Sequence, residues 1–107
     1  MRKLIFSGVI IATTLGFASS SWAFGCPGHI KAAQAAIDSA TAAMNAMSDK
    51  DKQGMVHTLV DDAKMLLHSA KHNHEKPRAG GFDHARAMAK ADSAKAYAQA
   101  AETLAKR

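Results

Sequence analysis

The sequence contains few of the residues from which covalent or catalytic frameworks are built. Its single cysteine, Cys26, excludes an intramolecular disulfide and any metal site made of several cysteines. The chain has no Cys-x-x-Cys-His motif, which excludes covalent attachment of a c-type haem. It also lacks a nucleophilic serine elbow, an HExxH motif, a P-loop and an EF-hand loop. We therefore expect a protein that is not an enzyme.

Long apolar runs are confined to the first 23 residues, which have the form of a secretory signal peptide. Arg2 and Lys3 precede an apolar run over residues 4–18, and Ser21-Trp22-Ala23 has the small-x-small pattern that signal peptidase requires. The run is short for a membrane anchor, which needs about 20 apolar residues. The sequence thus predicts a signal peptide over residues 1–23, no stable membrane span and a periplasmic domain over residues 24–107.

Lipoprotein processing at Cys26 is an alternative to this cleavage. Gly25 precedes the cysteine, as a lipobox requires, but Ala23 stands where a lipobox usually has leucine. The bulky Phe24 next to Gly25 also departs from the motif. A lipid anchor at Cys26 is therefore the less favoured interpretation.

The basic charge of the chain does not indicate a nucleic-acid partner. The formal net charge of +5 falls to +3 when Arg2 and Lys3 are removed with the signal peptide. The remaining charge is spread along the chain, and export separates the protein from chromosomal DNA. We therefore expect no nucleic-acid partner.

The composition after Ala23 predicts an all-α fold. Alanine, the best helix former, accounts for 21 of these 84 residues, and β-branched residues are sparse. Pro27 and Pro77 are expected at helix boundaries, and residues 76–81 (KPRAGG) are expected to form a linker. The predicted fold is a small up-down antiparallel bundle of three long helices, over about residues 29–47, 49–74 and 82–106. A fourth helix requires a break near residues 91–93.

Each predicted helix has a candidate buried face. Ser48 and Asp51 are expected to form a capping box for the second helix. Apolar residues alternate at steps of three and four on the first two helices, and the face of the third is less regular. The first face comprises Ile30, Ala33, Ile37, Ala40, Met44 and Met47; the second Val56, Leu59, Val60, Ala63, Leu66, Leu67 and Ala70; the third Phe82, Ala89, Ala96, Tyr97, Ala100 and Leu104. Such an alanine-rich core is thin, and a homodimer or a bound ligand could supply the stability that it lacks.

Six histidines are the most unusual feature of the predicted mature chain, and four lie in the second helix. A polar stripe on one face of that helix, opposite the apolar face, comprises His57, Asp61, His68, His72 and Glu75. His68 and His72 have the i, i+4 spacing that brings two imidazoles together, and we expect them to be the central metal ligands. His74 and Glu75 follow, where the helix is expected to fray before Pro77. The alternative is a face of solvated polar residues.

Further candidate ligands lie outside this stripe. Cys26 and His29 have a Cys-x-x-His spacing suited to Cu(I) or Zn(II), although two ligands do not complete a site. His84 opens the third helix, and antiparallel packing is expected to place it near His68, His72 and His74. The sequence also contains Met44, Met47, Met55, Met65 and Met88, which are better explained as core-filling residues than as a Cu(I) thioether site.

The pattern of His57, Leu59-Val60, Ala63-Lys64 and Leu67-His68-Ser69-Ala70-Lys71, with Gly28-His29 opening the first helix, resembles the periplasmic small metal-binding protein family of His-rich helical bundles. The resemblance implies a four-helix bundle that binds divalent copper, nickel or zinc through imidazoles and serves in metal buffering or tolerance. Its implied ligands are His29, His57, His68 and His84. This chain has fewer histidines than is typical of such proteins, which implies fewer sites.

Two functions remain in competition at this point. The first is periplasmic metal-ion binding, with Cu(II) expected first by the Irving–Williams order and Ni(II) or Zn(II) as alternatives. The second is an exported helical adaptor or chaperone-like protein that binds partners through its apolar face. Imidazoles from different helices that converge within ligand distance favour the first, and an open apolar groove favours the second.

Overall fold

The computed structural model describes the backbone of residues 21–107 and the side chains from Gly25 onward. These residues form three α-helices: α1 (Ser21–Asn45), α2 (Lys50–Glu75) and α3 (Gly81–Ala105). Most of the predicted signal peptide lies outside the described residues. None of the described helices combines the length and apolar character that a membrane span requires.

Contacts between the helices define an up-down-up bundle, as the sequence predicts. Lys71 of α2 bonds to Gln34 of α1, which is consistent with an antiparallel pair. Ser39 donates a hydrogen bond to Glu102 with an O–O distance of 2.9 Å, and this contact belongs to the parallel pair of α1 and α3. The third helix packs more extensively against each neighbour than α1 and α2 pack against each other. The α3 helix continues without a break through residues 91–93, so residues 21–107 contain no fourth helix.

The buried faces of α1 and α2 follow the predicted periodicity. Cys26, Ala33, Ile37, Ala40 and Met44 are buried on α1, and with the partly buried Ile30 they follow alternating steps of three and four. On α2 the most buried positions are Val56, Val60, Ala63, Leu67 and Ala70. Leu59 and Leu66 are only partly buried against this core. The predicted stripe on α2 is therefore confirmed, with its centre rotated slightly towards Val60 and Leu67.

The predicted buried face of α3 is wrong. Phe82, Tyr97 and Leu104 are 65%, 42% and 44% exposed, respectively, and the alanines predicted beside them are exposed as well. The buried positions are Asp83, Ala87, Ala91, Ala94, Ala98 and Ala101. Because α3 packs closely against two helices, methyl groups occupy its contact face and the larger side chains lie outside it.

Two helix boundaries also differ from expectation. α1 begins at Ser21 rather than near His29, so Pro27 lies inside a helix instead of at its boundary. The N-cap of α2 is Asp49 rather than Ser48, because the Asp49 carboxylate accepts hydrogen bonds from the backbone N–H groups of Asp51 and Lys52. The carboxylate of Asp49 thus satisfies donors that the predicted capping box assigned to Ser48.

Candidate metal centre

The three described helices meet at one end of the bundle, and each contributes one candidate ligand there. Cys26 lies near the start of α1, His74 near the end of α2 and His84 in the first turn of α3. The reversal between α2 and α3 includes Gly80, whose φ of +53° is a left-handed conformation that glycine adopts without strain. This turn brings His84 back beside His74.

The donor atoms of Cys26, His74 and His84 all lie within 4.8 Å of one another. Cys26 Sγ is 3.7 Å from His84 Nδ1. In a tetrahedral zinc site, Zn–S and Zn–N bonds of normal length place the sulfur and nitrogen about 3.6 Å apart. The Cys26–His84 separation therefore already matches two neighbouring ligands of one ion.

His74 provides an unsatisfied donor or acceptor at this site. Its Nδ1 atom is buried and has no hydrogen-bond partner among the described residues. The ring instead meets that of His84 edge to face, with centroids 5.6 Å apart and planes inclined by 64°. A buried polar atom without a partner costs about 1–3 kcal/mol of stability. A bound cation would remove this cost by accepting the nitrogen lone pair.

Cys26 is fully buried, although the sequence placed it as a candidate near the start of the mature chain. Its thiol donates a hydrogen bond to the backbone carbonyl of His84, with an S–O distance of 3.3 Å. Burial raises the pKa of the Cys26 thiol above its usual value, so the metal-free protein holds the neutral thiol at neutral pH. Coordination needs the thiolate, so a metal ion bound at this position would displace the thiol proton.

Asp83 fixes the first turn of α3 and so helps to position the neighbouring His84. The Asp83 carboxylate accepts hydrogen bonds from the backbone N–H groups of Arg78 and Ala79, at N–O distances of 2.6 and 2.8 Å. These bonds, with a smaller contribution from the Arg86 guanidinium, hold the pKa of the carboxyl below its usual range. The ionised Asp83 therefore ties the α2–α3 connection to the helix that carries His84.

An open groove reaches the centre from the side of His74. It has a volume of about 450 Å³, and Pro27, Ile30, Lys71 and Glu75 are among the residues that line it with His74. His74 borders this groove and is partly exposed, whereas Cys26 is fully buried in the core. The group therefore borders an open groove at His74 and is enclosed by the bundle at Cys26.

The remaining sequence-predicted ligands lie outside this group. His29 on α1 bonds to Asp92 on α3, with 2.6 Å between His29 Nδ1 and the carboxylate oxygen. His57 and Asp61 form a pair on the surface of α2, with 3.2 Å between His57 Nδ1 and Asp61 Oδ2. His68, His72 and Glu75 are exposed on α2, as the predicted polar stripe requires. Within residues 25–107, the structure brings together three of the nine sequence-predicted ligands, namely Cys26, His74 and His84.

The sequence contains one signal for the burial of Cys26, which the Cys-x-x-His interpretation did not use. Cys26 lies four residues before Ile30 and continues the alternating apolar face of α1 by one more turn. That register predicts a buried cysteine directed at the neighbouring helices. The pairing of Cys26 with His29 used the local Cys-x-x-His spacing instead, and His29 lies on a different face, with its side chain 41% exposed.

Comparisons with known proteins do not assign a family, because no family model, curated protein or solved structure matches the chain.

Proposed function

We propose that the protein binds one transition-metal ion through Cys26, His74 and His84 and serves to buffer that metal in the periplasm. The observation that carries this proposal is the convergence of one donor atom each from Cys26, His74 and His84 within 4.8 Å, and the buried, unpartnered Nδ1 of His74 adds to it. One thiolate and two imidazoles suit copper and zinc better than they suit magnesium or calcium, which prefer oxygen ligands. Copper is the first candidate, with zinc and nickel next.

The location of the donors supports metal binding over the adaptor alternative. His74 and His84 come from different helices, and Cys26 comes from a third. The apolar faces of α1 and α2 are largely buried inside the bundle among the alanines of α3, and the exposed Met55 and Met65 of α2 lie outside the buried face. Both observations favour the outcome expected for a metal-binding protein.

Export of the protein is part of this proposal. Cleavage after Ala23 makes Pro27 the fourth residue of the mature chain, in the first turn of its helix, where the missing backbone N–H is not needed. N-terminal sequencing of the periplasmic protein is expected to begin at Phe24. A chain that begins with a lipid-modified Cys26 would instead support the lipoprotein alternative.

The experiment that tests the proposed site is a calorimetric titration of the mature protein with Cu(II), Ni(II) and Zn(II). We compare a His74→Ala/His84→Ala variant with a His68→Ala/His72→Ala variant, which removes the same number of imidazoles from the exposed face of α2. The first variant is expected to lose the high-affinity site and the second to retain it. The reverse result would transfer the site to His68 and His72, and wild-type binding by both variants would contradict histidine ligation at either position.

A further inference from the structure

Met88 carries a sulfur atom to Gly25, the residue next to Cys26 of the proposed metal centre. It lies one helical turn after His84 on α3, so the two side chains share a face of that helix. Its Sδ atom packs against Gly25, the residue before Cys26: a Cβ built on Gly25 would lie 3.2 Å from this sulfur. The absence of a side chain at Gly25 thus leaves room for a thioether beside the cysteine.

The other described methionines have different surroundings. Met44 belongs to the hydrophobic core and Met47 packs against it. Met55 and Met65 are 63% and 70% exposed on α2. Met44 and Met47 therefore fill the core, as the sequence predicts, whereas Met88 is partly buried and its sulfur lies against Gly25 near the start of α1.

We propose that the thioether of Met88 is a fourth ligand of the ion held by Cys26, His74 and His84, and that it makes the centre selective for Cu(I). This inference rests on the proposed function, because it requires the three-ligand site. Coordination requires the sulfur to turn from Gly25 towards the adjoining Cys26, and Met has three rotatable side-chain bonds with which to make this change.

The chemistry of a thioether ligand accounts for the expected selectivity for Cu(I) over Zn(II). A thioether is a soft, neutral donor that binds Cu(I) well, whereas Zn(II) is satisfied by the thiolate, the two imidazoles and a water molecule. The Lys90 ammonium is bound to polar groups of α2, with its Nζ 2.6 Å from Ser69 Oγ and 2.7 Å from Asn73 Oδ1. The Arg86 guanidinium is likewise paired with Asp83. The sulfur-bearing side of the centre thus favours a soft monovalent ion.

The test measures Cu(I) and Zn(II) affinities of the mature protein by competition with chromophoric chelators, with Cu(I) handled without oxygen. Met88→Leu keeps the size and apolar character of the side chain, and Met65→Leu is the matched control on the exposed face of α2. Met88→Leu is expected to weaken Cu(I) binding about tenfold or more while Zn(II) affinity changes less than about twofold. Met65→Leu is expected to change neither affinity.

Unchanged Cu(I) affinity in Met88→Leu would overturn the inference, and equal losses of Cu(I) and Zn(II) would also overturn it by assigning Met88 a packing role. A Cys26→Ser variant separates this failure from failure of the proposed function. If Cys26→Ser binds both metals as the wild type does, the three-ligand site itself is wrong. If Cys26→Ser loses binding but Met88→Leu does not, the site stands and only the fourth ligand is rejected.

Discussion

Cys26 of α1 and His84 of α3 are separated by 58 positions in the sequence, and 3.7 Å separates Cys26 Sγ from His84 Nδ1. The contact requires both the parallel register of α1 and α3 and the reversal that leads from α2 into α3. His74 joins the pair from the end of α2. An ion bound here would connect all three helices, so metal affinity and bundle stability are expected to be coupled.

Saturating metal is expected to raise the Tm of the mature protein through this connection. Free Zn(II) at 1,000 times its Kd stabilises the folded state by about 4 kcal/mol, which corresponds to at least about 10 °C for a domain of this size. Thermal unfolding followed by circular dichroism measures the shift. Cys26→Ser is expected to lose most of it and His68→Ala to keep it. An equal shift in the Cys26→Ser variant would contradict the coupling.

Enlarging the contact face of α3 is expected to destabilise the bundle. Ala94 is fully buried where α3 packs against its neighbours, whereas Ala96 on the same helix is exposed. Ala94→Leu is expected to lower the free energy of unfolding by about 1–3 kcal/mol through overpacking. Ala96→Leu is expected to stay within about 0.5 kcal/mol of the wild type. Urea unfolding of both variants checks this, and similar values for the two would contradict the assigned face.

Removing the Asp83 carboxylate is expected to loosen the connection between α2 and α3. Asp83→Ala leaves the backbone N–H groups of Arg78 and Ala79 without their acceptor, and the Tm is expected to fall by about 5 °C. The control is Asp38→Ala, because Asp38 is exposed and accepts its hydrogen bond from Gln34 of the same helix. Equal Tm values for the two variants would contradict an anchoring role for Asp83.

The Glu102 carboxylate is expected to contribute to the loss of stability of the fold at acid pH. Hydrogen bonds from Lys106 and, to a smaller extent, Ser39 of α1 hold the pKa of this carboxyl below its usual value. The resulting stabilisation is present above the unfolded-state pKa of about 4.3 and is lost as the pH falls through the lower folded-state pKa. Glu102→Gln is therefore expected to flatten the decline in unfolding free energy below about pH 5.

Urea unfolding at a series of pH values measures this effect. The matched control is Glu75→Gln, which removes an exposed carboxylate at the end of α2. It is expected to leave the decline close to that of the wild type. Parallel curves for the wild type and Glu102→Gln would show that the hydrogen bonds of Glu102 with Lys106 and Ser39 do not contribute to the acid sensitivity.

The three-helix bundle was predictable because Pro77 and the glycines after it mark one connection, and because Ile37, Val60 and Leu67 mark regular buried faces. The face of α3 was not predictable by the same reasoning. On that helix the large apolar residues were assumed to be inside. Because α3 approaches two neighbouring helices closely, its buried face is a row of alanines. These alanines do not differ in hydrophobicity from the alanines on the exposed side, so the pattern does not mark the buried face.

The candidate metal centre was predictable as a set of residue types but not as a group. Helical spacing relates His68 to His72 and Cys26 to His29, because it concerns one helix at a time. The contact of Cys26 with His84 depends on the relative rotation and register of two helices that are not neighbours in the sequence. His74 lies on the side of α2 that faces these residues, whereas His72, two positions earlier, is exposed.

X-ray absorption spectroscopy of the Zn(II)-loaded mature protein tests the central claim most directly, because it reports the atoms bound to the ion. The account predicts one sulfur ligand at about 2.3 Å and nitrogen ligands at about 2.0 Å. The sulfur contribution is expected to disappear in Cys26→Ser and to persist in His68→Ala/His72→Ala. A wild-type spectrum with only nitrogen and oxygen ligands would contradict a metal centre at Cys26, His74 and His84.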